Sequence, residues 1–128
     1  MSHFSLIKVS IKNPILSLLK KAVEDVGKEI GAEIVHQIHD YYGRVRTDII
    51  IGLKNNVFHR GVGVILTSEG VQLVGDFYKV QQAEVEKLKQ MITQTYTAMA
   101  IGQCLASLGY SVSAQKAQDK IYIMGVSP

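Results

Sequence analysis

Tryptophan is absent from this 128-residue chain, which also holds only 1 Cys and 2 Pro. No apolar run approaches the roughly 18 to 20 residues that a membrane helix needs, which argues against a spanning protein. The opening residues Met1-Ser2-His3-Phe4 begin no long apolar segment of the secretory type, so a cytoplasmic protein is expected. The lone Cys104 excludes an internal disulfide and a Cys-rich metal centre, which removes the support for an oxidising, secreted class. Its expected place is that of a small buried hydrophobe. A strong charge of one sign is also missing: 14 Lys and Arg stand against 11 Asp and Glu, a formal net of +3. With 47% hydrophobic and 20% charged residues, the composition excludes a disordered or collagenous chain and fits one globular domain over residues 1–128.

What is present is ordered patterning. Residues His3 to Ile11 alternate imperfectly with a period near two, as a strand does. Asn13-Pro14 reads as a helix N-cap followed by Pro at the first helical position. Ile15, Leu18, Leu19, Ala22, Val23, Val26 and Ile30 then form one apolar stripe, with Gly27 and Gly31 weakening the last turns and supplying the expected stop. Ile34 to Tyr42 and Arg46 to Leu53 read as a hairpin turning at Gly43. Gly61 to Thr67 and Val71 to Phe77 read as a second hairpin. Gln82 to Leu108 carries a long helical pattern ended by Gly109, about 40 Å at 1.5 Å per residue. Tyr110 to Ala114 and Lys120 to Val126 complete a final hairpin.

The order strand, helix, four-strand meander, long helix, C-terminal hairpin predicts an α+β domain, a largely antiparallel sheet with both helices on one face. A doubly wound parallel sheet is excluded, and with it the glycine-rich phosphate loop of that class. Gly61-Val62-Gly63 lacks a following Gly-Lys-Ser/Thr and reads as strand or bulge glycine. His36 and His39 have a helical metal-ligand spacing, but on a strand they point to opposite faces. His36 and Asp40 do share a face. No complete catalytic set or metal signature stands in the sequence, so no metal and no cofactor are expected.

Three groups of residues remain as candidates. Asp48 and Asp76 sit inside apolar strands, where a carboxylate must be solvated, hydrogen-bonded or paired. Arg44, Arg46 and Arg60 are the available partners, and a functional cleft is the other reading. Arg44, Arg46, Lys54, His59 and Arg60 form a basic stretch opposed locally by Asp48. With Tyr41, Tyr42, Phe77 and Tyr78 nearby, that stretch offers charge and stacking surface to nucleic acid, although core or rim packing also accounts for the rings. Gln94, Thr95, Tyr96 and Gln103 interrupt the apolar pattern of the long helix.

Some of these residues carry a family resemblance. Met1 to Lys8, Gly61 to Val64, Gly70 to Tyr78, Ile92 to Ala98 and Leu108 to Val112 resemble, in the same order and over nearly the whole chain, a family of small proteins of unknown function. That family is a conserved open reading frame of cyanobacteria and red-algal plastids. The chain looks like a divergent prokaryotic member: Val9 replaces a Thr, Gly75 replaces an Ala, Thr97 precedes Ala98, and no Trp is present. The resemblance singles out His3, Asp76, Gln94 and Tyr96, and the family has no established activity to transfer. The leading expectation is a non-enzymatic accessory protein that binds a partner protein through its sheet or long helix, with a homo-oligomer in view. The alternatives are a small enzyme or ligand-binding domain, with Asp76, Asp48, His36 and Tyr96 lining a cleft between sheet and long helix, and a nucleic-acid binder using the basic stretch.

Overall fold

In the computed structural model, which describes residues 3–117 and 120–127, the alternating start of the chain becomes strand β1 (Ser5–Lys8). Helix α1 (Leu16–Glu29) follows, and its stripe buries Leu19, Ala22, Val23 and Val26. The helix begins later than Asn13-Pro14 suggests. Ile15 is the cap residue, in extended conformation and without a side-chain cap, and its N–H donates to the Tyr96 hydroxyl at 2.8 Å. A tertiary acceptor therefore replaces the local one. Gly31 ends α1 at φ +68, as expected.

Strands β2 (Glu33–Val35), β3 (Ile38–His39), β4 (Val45–Arg46) and β5 (Ile51–Lys54) occupy the region expected to form one hairpin. The hairpin is split: β2 pairs with β5, while β3 pairs only with β4. The intervening residues leave the main sheet so that Ile38 and Ile49 cover its second face. Strands β6 (Val62–Thr67) and β7 (Gly70–Gly75) form the second hairpin. The main sheet has the order β1-β7-β6-β5-β2 and is antiparallel throughout.

Helix α2 (Gln82–Ser107) packs beside α1 and buries Val85, Leu88, Ile92 and Tyr96. Both helices lie on the sheet face that carries Leu53, Val62, Val64, Val71 and Leu73, and these residues form the main core. The opposite face carries Ile65 and Val74, capped by Ile38 with Phe4, Val35 and Ile49 beside it. Gly63 explains how that cap fits, because a Cβ there would stand 2.5 Å from Ile49 Cγ2. The glycines of this stretch thus serve close approach.

Beyond Tyr96 burial falls off, with Met99 and Ala100 still packed against the core. None of the described residues from 97 to 127 is buried, and the last turns of α2 with strands β8 (Ser111–Ala117) and β9 (Lys120–Val126) form a projecting arm. Cys104 lies on this arm and is exposed rather than buried, since the helix has outrun the sheet there. Gly109 ends α2 at φ +89. Among the described residues no helix is long and apolar enough to cross a membrane.

Candidate functional site

Along β7 the side chains of Val71 and Leu73 enter the helix-side core, so Gln72, Val74 and Asp76 belong to the opposite face. Asp76 stands just past the end of β7 and is 3% exposed. Its Oδ2 accepts the Arg60 Nη1 at 2.7 Å and the Tyr41 backbone N–H at 2.9 Å, and its Oδ1 accepts the Tyr78 N–H at 3.2 Å. One carboxylate thereby joins the β3–β4 turn, the loop that leads into β6 and the exit of β7. Arg60 is itself largely buried, so this is an enclosed ion pair with several donors rather than a surface bridge.

A second carboxylate builds the neighbouring turn. Asp40 Oδ1 accepts the N–H groups of Tyr42 and Arg44, both at 2.9 Å, and Oδ2 accepts Arg44 Nε at 2.6 Å. Burial alone would raise its pKa. The Arg44 side chain and the two backbone donors outweigh that and hold the carboxyl below its usual value. Gly43 completes the turn at φ +77, which leaves Tyr41 and Tyr42 projecting from a fixed backbone.

The result is an exposed row of rings and cations. Tyr41 is 64% exposed, and Tyr42 and Tyr78 are also exposed. Arg44 lies 5.4 Å from the Tyr42 ring centroid, Tyr42 meets Tyr41 edge-on at 5.2 Å, and Arg60 lies 5.3 Å from Tyr41 and 5.8 Å from Tyr78. Lys79 follows at 5.7 Å from the Tyr78 ring. Lys79 also has φ 63, the left-handed conformation that a non-glycine residue adopts at a cost. Backbone hydrogen bonds thus hold the main chain at all three tyrosines, and a cation lies beside each ring.

The basic stretch is largely matched by carboxylates. Arg44 pairs with Asp40, Arg60 with Asp76, and Arg46 makes two hydrogen bonds to Asp48, at 2.7 and 3.0 Å. The hydrogen bond from Arg46 is the main cause holding Asp48 below the usual carboxylate value. Lys54 lies on β5 opposite Glu33, and His59 is exposed. Asp48 lies within the basic stretch and Asp40 four residues before Arg44, whereas Asp76 is brought to Arg60 by the fold.

The four polar residues singled out by the resemblance do not meet. His3 is exposed ahead of β1, Asp76 is on the capped face, and Tyr96 belongs to the core on the other side of the sheet. Gln94 lines a groove between α2, the end of α1 and the C-terminal hairpin. His36 and Asp48 are exposed. The groove consists of two adjoining hollows of about 440 and 390 Å³ that share Glu29, Thr95, Lys116 and Ile121. A Lys116–Glu29 ion pair bridges it. Its lining contains none of Asp76, Asp48, His36 and Tyr96. Among the described residues no cluster of three His, Cys, Asp or Glu side chains is placed to hold a metal ion.

Sequence reasoning missed the role of Asp40, which it weighed only beside His36. The signal was local: Asp-Tyr-Tyr-Gly-Arg places a turn-forming carboxylate three residues before a glycine and four before an arginine. No family model matches the chain, and neither does any curated protein or solved structure.

Proposed function

We propose that this chain is a non-enzymatic interaction protein that binds a partner protein through the tyrosine–arginine face at the end of its sheet. The observation that carries this reading is the row Arg44, Tyr42, Tyr41, Arg60, Tyr78 and Lys79, exposed at its rings and anchored from beneath by Asp40 and Asp76. Tyrosine and arginine dominate the energetically important positions of protein interfaces. Held rigidly, such rings lose little conformational freedom on binding, which leaves more of the contact energy as affinity.

Nucleic acid is the weaker occupant of this face. Backbone phosphates are held by unmatched cationic charge, and here the three arginines already face three aspartates. An enzyme would need reactive groups gathered in a hollow, and the groove under the hairpin is lined by amides, Thr95, apolar side chains, the Lys116–Glu29 pair and the dispersed charges of Asp25, Glu84 and Lys87, with no histidine or cysteine among them. The same proposal includes kinship with the plastid and cyanobacterial reading frame that the sequence motifs resemble, and a place in the cytoplasm.

Affinity capture with the wild type and with a Tyr41→Ala/Tyr78→Ala variant tests the reading. A discrete protein retained by the wild type at about 150 mM salt and lost with the variant is the expected result. Equal retention by both, or retention only of nucleic acid that disappears at raised salt, would overturn it.

A further inference from the structure

We infer that two copies of this chain associate through strand β9, antiparallel to its symmetry mate, to form a four-stranded sheet β8-β9-β9-β8. This uses the arm, a surface separate from the tyrosine–arginine face.

The arm is too exposed to account for its own sequence. Residues 97–127 bury no described side chain, yet Ile101, Leu108, Tyr110, Val112, Tyr122, Met124 and Val126 are all large, apolar and exposed. A two-stranded ribbon is marginal in water by itself. Along β9, Ile121 and Ile123 turn towards α2 and line the groove. Tyr122 at 54% exposure and Met124 at 58% turn outward, with Val126 beyond them.

The two strands differ in a way that selects the partner. Ile121 to Val126 carries no charge and no proline, the composition of an unprotected edge that recruits another strand. Ser111 to Ala117 is polar, with Ser111, Ser113 and Gln115 outward and Lys116 turned to Glu29. Joining β9 to β9 hides the adhesive edge and leaves the polar strand outermost, so growth stops at two copies. A heterologous contact would leave one adhesive edge open.

Register and charge agree with this. The β8–β9 ladder closes on the pair Ala117–Lys120 with two residues between. Such a closing pair turns its backbone groups inward, so Ile121, Ile123 and Gly125 turn theirs to the open edge. A two-fold centred on Ile123 then sets Ile123 against its copy and Tyr122 against Met124 of the mate. Lys120 falls opposite Val126 of the mate, so no like charges face each other. The described arm residues carry no acidic side chain, and Lys116 is already paired, so two arms meet without a charge penalty.

Light scattering on the full chain at about 50 μM tests the proposal. The wild type is expected at the mass of two chains. A Tyr122→Lys/Met124→Lys variant, which sets lysine against lysine twice, is expected at the mass of one chain or to dissociate at least tenfold more readily. A Tyr122→Lys/Met124→Glu variant is expected to restore two chains through cross-strand pairs. Circular dichroism with unchanged helix content shows that each variant is folded. A wild type at one chain would overturn the proposal on its own. So would a dimer indifferent to the double lysine, or one that the lysine–glutamate variant fails to restore. Loss of the dimer with the Tyr41→Ala/Tyr78→Ala variant would instead place self-association on the other face.

Discussion

Asp76 is the residue on which the exposed face depends. Its two oxygens hold a buried guanidinium and the backbone of two loops. Asp76→Ala breaks a buried ion pair and is expected to cost about 3–5 kcal/mol, read as a lower denaturant midpoint at unchanged slope. A loss below about 1 kcal/mol would show that the pair is not holding the loops. Asp40 makes a different prediction. Its pKa is depressed in the folded chain, so its contribution is fully present above the unfolded value near 4 and is lost as pH falls through the lower folded value. Asp40→Asn should therefore flatten the acid limb of the stability curve below about pH 4. An identical acid limb in variant and wild type would contradict the turn as described. Pairing of Asp48 and Asp76 follows from carboxylates among apolar residues with three arginines nearby, although neither lies inside a strand: Asp48 is exposed between β4 and β5, and Asp76 stands just past β7. Which arginine each one takes does not follow, because Arg60 and Asp76 are 16 positions apart and meet only through the β6–β7 pairing.

At the scale of elements, the departures from sequence expectation have a common cause, in that tertiary contacts displaced local signals. Asn13-Pro14 is a good local start for α1, yet the Tyr96 hydroxyl takes the Ile15 N–H and the helix starts at Leu16. Tyr96→Phe should remove that acceptor at a cost of about 0.5–1.5 kcal/mol, with faster amide hydrogen exchange confined to the first turn of α1. Exchange spread evenly over the core would refute the local role. The stretch from Ile34 to Leu53 has the alternation of a hairpin, but it divides because Val74 and Ile65 need a cover, which Ile38 and Ile49 supply together with Phe4 and Val35. Gly63→Ala would drive a methyl group into the β-branched Ile49. The expected loss is roughly 1–3 kcal/mol, with opening of the segment from 36 to 50 seen as increased protease sensitivity there. A variant as stable and resistant as the wild type would show that this cover is not closely packed. Helix stripes, the β6–β7 hairpin and the two terminal glycines were legible because each is encoded within a few residues.

The whole molecule divides its surfaces between three regions. The helix side of the sheet is spent on the core, the far side ends in the tyrosine–arginine row, and the arm projects beyond the last buried turn of α2. The α+β class and the placement of both helices on one face could be read from element order. The candidate site could not be read as a unit, since His3, Asp76, Gln94 and Tyr96 are neighbours in motif but not in space, and the sheet separates Asp76 from Tyr96. The exposure of Cys104 was equally hidden, because nothing local tells a helix where its sheet ends.

The most direct test of the interaction reading is photo-crosslinking from position 41. A photoreactive phenylalanine replaces Tyr41, with a control label at the exposed Lys20 of α1, and both proteins are irradiated in native extract before and after nuclease treatment. A discrete protein adduct is expected from position 41 alone, insensitive to nuclease and suppressed by excess unlabelled wild type. Adducts removed by nuclease, adducts equal at both positions, or no adduct from position 41 would contradict that reading.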